Sequence, residues 1–146
     1  MKRITAIALA ALVLALGLPA LAVEGSELSI QMVQNSACLE QVSTRRCAFQ
    51  CNFINKNPEK TVSGFDLAYV ALDRNQNVSM EETTQLIELS IQPGDTRAAP
   101  TVYITNQNEL AYLIIAVQTI YFSDGTSESI DFARGENYDS KVFRVI

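Results

Sequence analysis

Histidine is absent from the 146 residues of this chain, so any chemistry must do without imidazole, from three cysteines, 16 Asp and Glu side chains, 11 Lys and Arg, tyrosines and hydroxyls. Without imidazole there is no ordinary general base near neutral pH, no Ser-His or Cys-His nucleophile, and no supply of the commonest zinc ligand. Asp124, Glu128 and Asp131 fall close enough in sequence to approach one another as an acid-base pair must. Asp124, however, sits in an Asp-Gly turn, and outward carboxylates on a hairpin are ordinary solubility residues. Glu81 and Glu82 are adjacent, so on a strand they point to opposite faces and cannot share a substrate. Asp73-x-Asn75-x-Asn77 has the opening spacing of a calcium loop, but the Gly and Glu such a loop needs are replaced by Val78 and Thr84. A turn whose Asx side chains bond their own backbone accounts for it. Tyr69, Tyr103, Tyr112, Tyr121 and Tyr138 fall mostly in strand alternation, where packing with the hydroxyl at the rim is the common fate. No catalytic, cofactor-binding or metal-binding residue is expected, and no cofactor.

The cysteines are Cys38, Cys47 and Cys51. Cys47 and Cys51 are four apart on one extended strand, about 13 Å between Cα atoms, beyond the roughly 7 Å a bridge spans. A hairpin centred on Val42 and Ser43 brings Cys38 opposite Cys47, which predicts a Cys38–Cys47 disulfide worth on the order of 2 to 3 kcal/mol, with Cys51 a buried free thiol. The alternative is Cys38 to Cys51, leaving Cys47 exposed and able to link two chains.

Strands must position these groups. Ala111 to Phe122 is a long run of β-branched and aromatic residues, apolar on both alternating faces, followed by a tight turn at Ser123-Asp124-Gly125 and a return from Thr126. It predicts a central hairpin that the rest of the chain covers. Before it, strands are expected near Glu27 to Asn35, Arg45 to Asn55, Thr61 to Asp73, Gln85 to Ile91 and Arg97 to Thr105. In the second of these Cys47, Phe49, Cys51 and Phe53 share a face. A helical turn at Met80-Glu81-Glu82 competes before the fourth strand. Pro93-Gly94 suits a type II turn, and Pro100 suggests an edge or bulged strand. Seven strands with frequent turn signals and no helical period predict an all-β, two-sheet antiparallel β-sandwich of immunoglobulin or fibronectin type.

Met1-Lys2-Arg3, the apolar run Ile4 to Leu18 and the small-residue ending Ala20-Leu21-Ala22 have the parts of a secretory signal peptide. Cleavage after Ala22 divides the chain into residues 1–22 and a single domain at 23–146, periplasmic or secreted. The domain then holds 9 Lys plus Arg against 16 Asp plus Glu, a net of −7. Such a surface disfavours nucleic acid and anionic lipid, and no membrane insertion is expected after cleavage.

Phe53-Ile54-Asn55, Lys60-Thr61-Val62-Ser63-Gly64-Phe65-Asp66-Leu67, Leu72-Asp73 with Asn75 and Asn77, and Pro93-Gly94-Asp95-Thr96 together resemble the FxLYD-type family of small bacterial extracytoplasmic sandwiches. The literal Phe-x-Leu-Tyr-Asp string is absent, since Phe65-Asp66-Leu67 is followed by Ala68. The resemblance spans about Cys47 to Phe122 and implies a fold and an envelope location, with no catalytic residues. The expectation is a non-enzymatic binding or structural module offering loops and edge strands to a protein or envelope partner. An accessory or inhibitory subunit of a secreted enzyme is the alternative.

Overall fold

The computed structural model describes residues 28–33, 35–130 and 140–145. The expected leader at 1–22 lies outside them, as do Asp131 and Tyr138. The described residues form eleven strands and no helix: β1 Ile30–Met32, β2 Cys38–Ser43, β3 Arg46–Gln50, β4 Asn52–Asn55, β5 Val62–Leu72, β6 Val78–Ile91, β7 Thr96–Ala98, β8 Val102–Thr105, β9 Tyr112–Phe122, β10 Ser127–Ser129 and β11 Ser140–Arg144. All pairings are antiparallel.

Six of the eleven strands come from three interrupted passes of the chain. Two three-stranded sheets run in the orders β1-β4-β7 and β2-β3-β8. Each takes one half of the same three passes, and the breaks fall at one level: residues 33–37, Cys51, and 99–101 with Pro100. Hydrogen bonds bridge the gap, from Val33 N–H to the Asn52 carbonyl at 2.8 Å and from Ala99 N–H to the Cys51 carbonyl at 3.0 Å. Proline cannot donate to a ladder, which supplies one reason for the interruption. Four of the other strands pair in the order β10-β9-β5-β6. β11 also pairs with β9, beyond β10 on the same side.

β5 and β9 are the most buried strands, as the apolar content of both faces of β9 demands: Ile114, Ile115, Ala116 and Val117 are at most 1% exposed. One face carries Phe65, Leu67, Leu113 and Ile115 into a core shared with Phe49 and Phe53 of the broken passes. The Phe53 and Phe65 rings meet with centroids 4.5 Å apart, tilted by 47°. On the other face Ala68, Val70, Leu72, Ile114 and Ala116 form a second buried group with Ile130.

Local geometry follows the turn chemistry. Pro93-Gly94 makes the expected type II turn, with Gly94 at φ 77° and Asp95 N–H donating to the Gln92 carbonyl at 3.0 Å. The β9–β10 turn is longer than a two-residue hairpin loop. Phe122 N–H donates to the Thr126 carbonyl, three residues lie between, and Gly125 at φ 86° takes the left-handed position. β6 starts at Val78, earlier than Gln85, because Met80 pairs with Ala71 and packs on the core; no helical turn forms there.

The β2–β3 hairpin also differs from expectation. It turns at Thr44-Arg45, and its register sets Cys38 opposite Gln50, Leu39 opposite Phe49 and Gln41 opposite Cys47, with an irregularity at Val42. Relative to a turn at Val42-Ser43, this is a slip of three residues. An odd slip sends every β2 side chain to the other face, which seats Leu39 against the core and leaves Cys38 exposed.

Candidate functional site

The register does not set the expected Cys38–Cys47 pair face to face, since Cys38 lies opposite Gln50 and Cys47 opposite Gln41, and the structure contains no bridge among Cys38, Cys47 and Cys51. Cys38 lies on the exposed side of the hairpin, and Cys47 and Cys51 are buried. The alternative Cys38–Cys51 bridge is not formed either, and Cys47 is not exposed. Burial pushes the Cys47 thiol up to about 11, which removes its nucleophilic form at neutral pH. Cys51 occupies the break between β3 and β4, within 3.4 Å of the Ser36 hydroxyl. That hydroxyl accepts the Asn52 N–H at 3.0 Å.

Two of the carboxylates singled out by type and spacing, Asp73 and Asp124, accept hydrogen bonds from their own turns. Asp73 Oδ1 accepts the N–H groups of Asn75 at 2.8 Å and Asn77 at 2.9 Å. These bonds hold its pKa below the ordinary range, with the Asn77 backbone contributing most, and give the Asx turn read from the sequence. Asp124 accepts from the Thr126 hydroxyl and N–H and pairs with Lys60 Nζ at 3.2 Å. The Thr126 bonds lead in lowering its pKa to about 2. Glu128 instead receives Ser29 N–H at 3.1 Å and Ser29 Oγ at 2.7 Å, tying β10 to the start of β1. Asp124 and Glu128 thus serve different partners. Among the described residues no three His, Cys, Asp or Glu gather as metal ligands would.

The tyrosines do not form one face. Tyr69 is buried and Tyr103 is 54% exposed beneath the Arg46 guanidinium, 4.6 Å from its ring centroid. Tyr121 donates to Asp66 Oδ2 at 2.7 Å, which raises the phenol pKa. The Asp66–Tyr121 and Ser29–Glu128 pairs join residues 55 and 99 apart, and no local spacing announces either.

Around Asn55 the separated motif residues of the sequence come together. Its N–H donates to the Asp95 carbonyl at 3.0 Å and its carbonyl accepts Gly94 N–H at 2.8 Å. Its side-chain amide donates to the carbonyls of Lys60 at 2.8 Å and Ile91 at 2.9 Å, and its Oδ1 accepts Asn57 N–H at 2.9 Å. A fully buried amide with every donor used is a structural latch.

The surface offers one long open feature. β6 ends its sheet, with β5 as its sheet neighbour, and at 14 residues is the longest edge strand among those described. Its first turn of backbone is partly covered, since the side chains of Asn106 and Asn108 both donate to the Ser79 carbonyl at 3.3 Å. Beyond that Glu81, Thr83, Thr84, Gln85, Leu86 and Glu88 are exposed, Leu86 at 52%. Compared with protein-family models and with curated proteins, the chain matches none. Among the described residues no helix is long and apolar enough to cross a membrane.

Proposed function

We propose that the chain is a non-enzymatic binding or structural module of the bacterial envelope or exterior, exported by the leader at 1–22. In this reading residues 23–146 form an immunoglobulin- or fibronectin-like β-sandwich that presents loops and edge strands to a protein or envelope partner. Three interrupted passes on one side, a five-stranded sheet on the other and a core drawn from both support the sandwich. The convergence of Asn55, Lys60 and Pro93-Gly94-Asp95 on one latch favours kinship with the FxLYD-type family, since the residues carrying that likeness do one structural job. The observation that carries the binding role is the contrast between polar groups and edges. Asp73, Asp124, Glu128 and Asp66 spend their bonds inside the fold, while β6 keeps an exposed edge.

The test is affinity capture with chemical crosslinking from an envelope extract, paired with turnover assays on ester, peptide and glycoside substrates. A single partner retained in stoichiometric amount, with no turnover, supports the module. If that partner is an enzyme whose rate changes on binding, the accessory-subunit reading replaces it. Turnover abolished by Asp124→Asn overturns both.

A further inference from the structure

We infer that the β6 edge is a docking site for an extended, lysine- or arginine-bearing strand of a partner protein, added antiparallel or parallel to β6. The inference rests on the binding-module reading and specifies its surface. An edge strand presents backbone N–H and C=O groups that an incoming strand can pair, and the side-chain rows beside it set which strand fits. From Glu81 to Ser90 this edge is the most extended one among the described strands.

Its charge selects the partner. Between Arg74 and Arg97 the chain has no cation, and β6 itself carries Glu81, Glu82 and Glu88. A second copy of this chain pairing through its own β6 is a poor occupant. Antiparallel self-pairing centred on Gln85 would set Glu82 opposite Glu88, and like charges opposed across strands are destabilising. Every other register likewise doubles the carboxylates and adds no cation. A strand with cations offsets them, and steering by the acidic domain speeds its approach.

The side-chain row refines the fit. The register pairs Leu86 with Asp66, Thr84 with Ala68 and Glu88 with Gly64, so Thr84, Leu86 and Glu88 share the face away from the main core. Leu86, half exposed, offers an apolar seat beside Glu88. A complementary strand places an apolar residue against Leu86 and a lysine or arginine two positions away, against Glu88. The same carboxylates would also discourage edge-to-edge aggregation, and the experiment separates protection from recognition.

Three synthetic probes are titrated into the isotope-labelled exported protein while backbone amide shifts are followed. One is an extended peptide with a central valine and lysines at alternate positions. The second is the same peptide N-methylated along one edge, and the third has glutamates for the lysines. Strand addition gives saturable shifts centred on Thr83 to Ser90, a loss of at least about tenfold in affinity on N-methylation, and no binding of the glutamate peptide. The exposed double variant Glu81→Lys with Glu88→Lys should exchange the preference between the lysine and glutamate peptides. Shifts scattered over the acidic surface with no effect of N-methylation overturn the inference, as does failure of the lysine peptide to bind. Shifts at β6 that depend on protein concentration without peptide identify a second copy as the occupant and overturn it too. If the peptide fails while a partner is still captured from the envelope through another surface, only this inference falls. If nothing is captured, the binding-module reading falls with it.

Discussion

Asn55 accepts the Gly94 N–H on its backbone carbonyl at 2.8 Å, which joins the end of β4 to the turn between β6 and β7. The same residue's side chain fixes the Lys60 and Ile91 carbonyls and the Asn57 N–H. Asn55→Ala keeps the backbone bonds and strands those three groups, the Ile91 carbonyl in buried surroundings and the other two partly buried. Each unsatisfied group costs about 1 to 3 kcal/mol, and partial rehydration from the loop side limits the total to about 3 kcal/mol. Asn55→Asp should be at least as harmful, because a carboxylate turns an acceptor toward two carbonyl oxygens. Urea denaturation of both variants checks this; a loss below about 1 kcal/mol for either would remove the latch from the account.

Gly64 is required by space, in a backbone region open to any residue. A Cβ there would lie 2.9 Å from the Ile87 carbonyl oxygen, a backbone atom of β6 that cannot rotate away. Gly64→Ala should therefore cost about 2 kcal/mol by forcing the strands apart. Gly94 and Gly125 have positive φ and no atoms near a built Cβ, so alanine there costs about 1 kcal/mol of backbone strain. Denaturant midpoints for the three variants should rank Gly64→Ala as the most damaging.

The passes of this fold were legible because apolar periodicity reports burial, and burial is what the core imposes. Cys47, Phe49, Cys51 and Phe53 alternate onto one face in the sequence, and all four are buried. That continuous alternation also hid the break at Cys51. A strand that crosses from one set of neighbours to another without changing face leaves no mark in the period. The β2–β3 register escaped for a different reason. Cys38, Glu40 and Val42 alternate with Leu39 and Gln41 so weakly that either parity is plausible from the sequence, and Leu39 against Phe49 decides it only in three dimensions. The Asn55 latch was visible in pieces, as turn formers and a motif, but its convergence depends on residues 36 apart meeting at Ile91.

The cysteine geometry predicts three distinct reactivities. Cys38, exposed, should alkylate rapidly in the folded protein. Cys47 should stay unlabelled until unfolding, because burial holds its pKa near 11. Cys51, buried against Ser36, should also be protected. Mass spectrometry of native and urea-unfolded samples should count one fast thiol and then three. Peptide mapping without reductant should find neither a Cys38–Cys47 nor a Cys38–Cys51 crosslink.

The turn at Asp124 makes stability depend on pH in the acid range. In the folded protein Asp124 is held near 2, against 3.8 for an ordinary aspartate, chiefly by the Thr126 hydroxyl and N–H and then by Lys60. A carboxylate depressed on folding binds its proton more weakly in the folded state, so its stabilisation is complete above the unfolded value and lost as pH falls through the folded one. The window is therefore about pH 4 down to about pH 2, with no contribution to any change near neutrality. Asp124 is exposed and water screens it, so the titration itself is the sensitive measurement. Carboxyl NMR should place Asp124 near 2 in the intact protein. Thr126→Val removes the hydroxyl donor while keeping the backbone N–H, and should move Asp124 part of the way back toward 3.8. Added salt should weaken only the Lys60 share. An Asp124 that titrates at its ordinary value in the intact protein would mean that the turn's hydrogen bonds do not persist in solution.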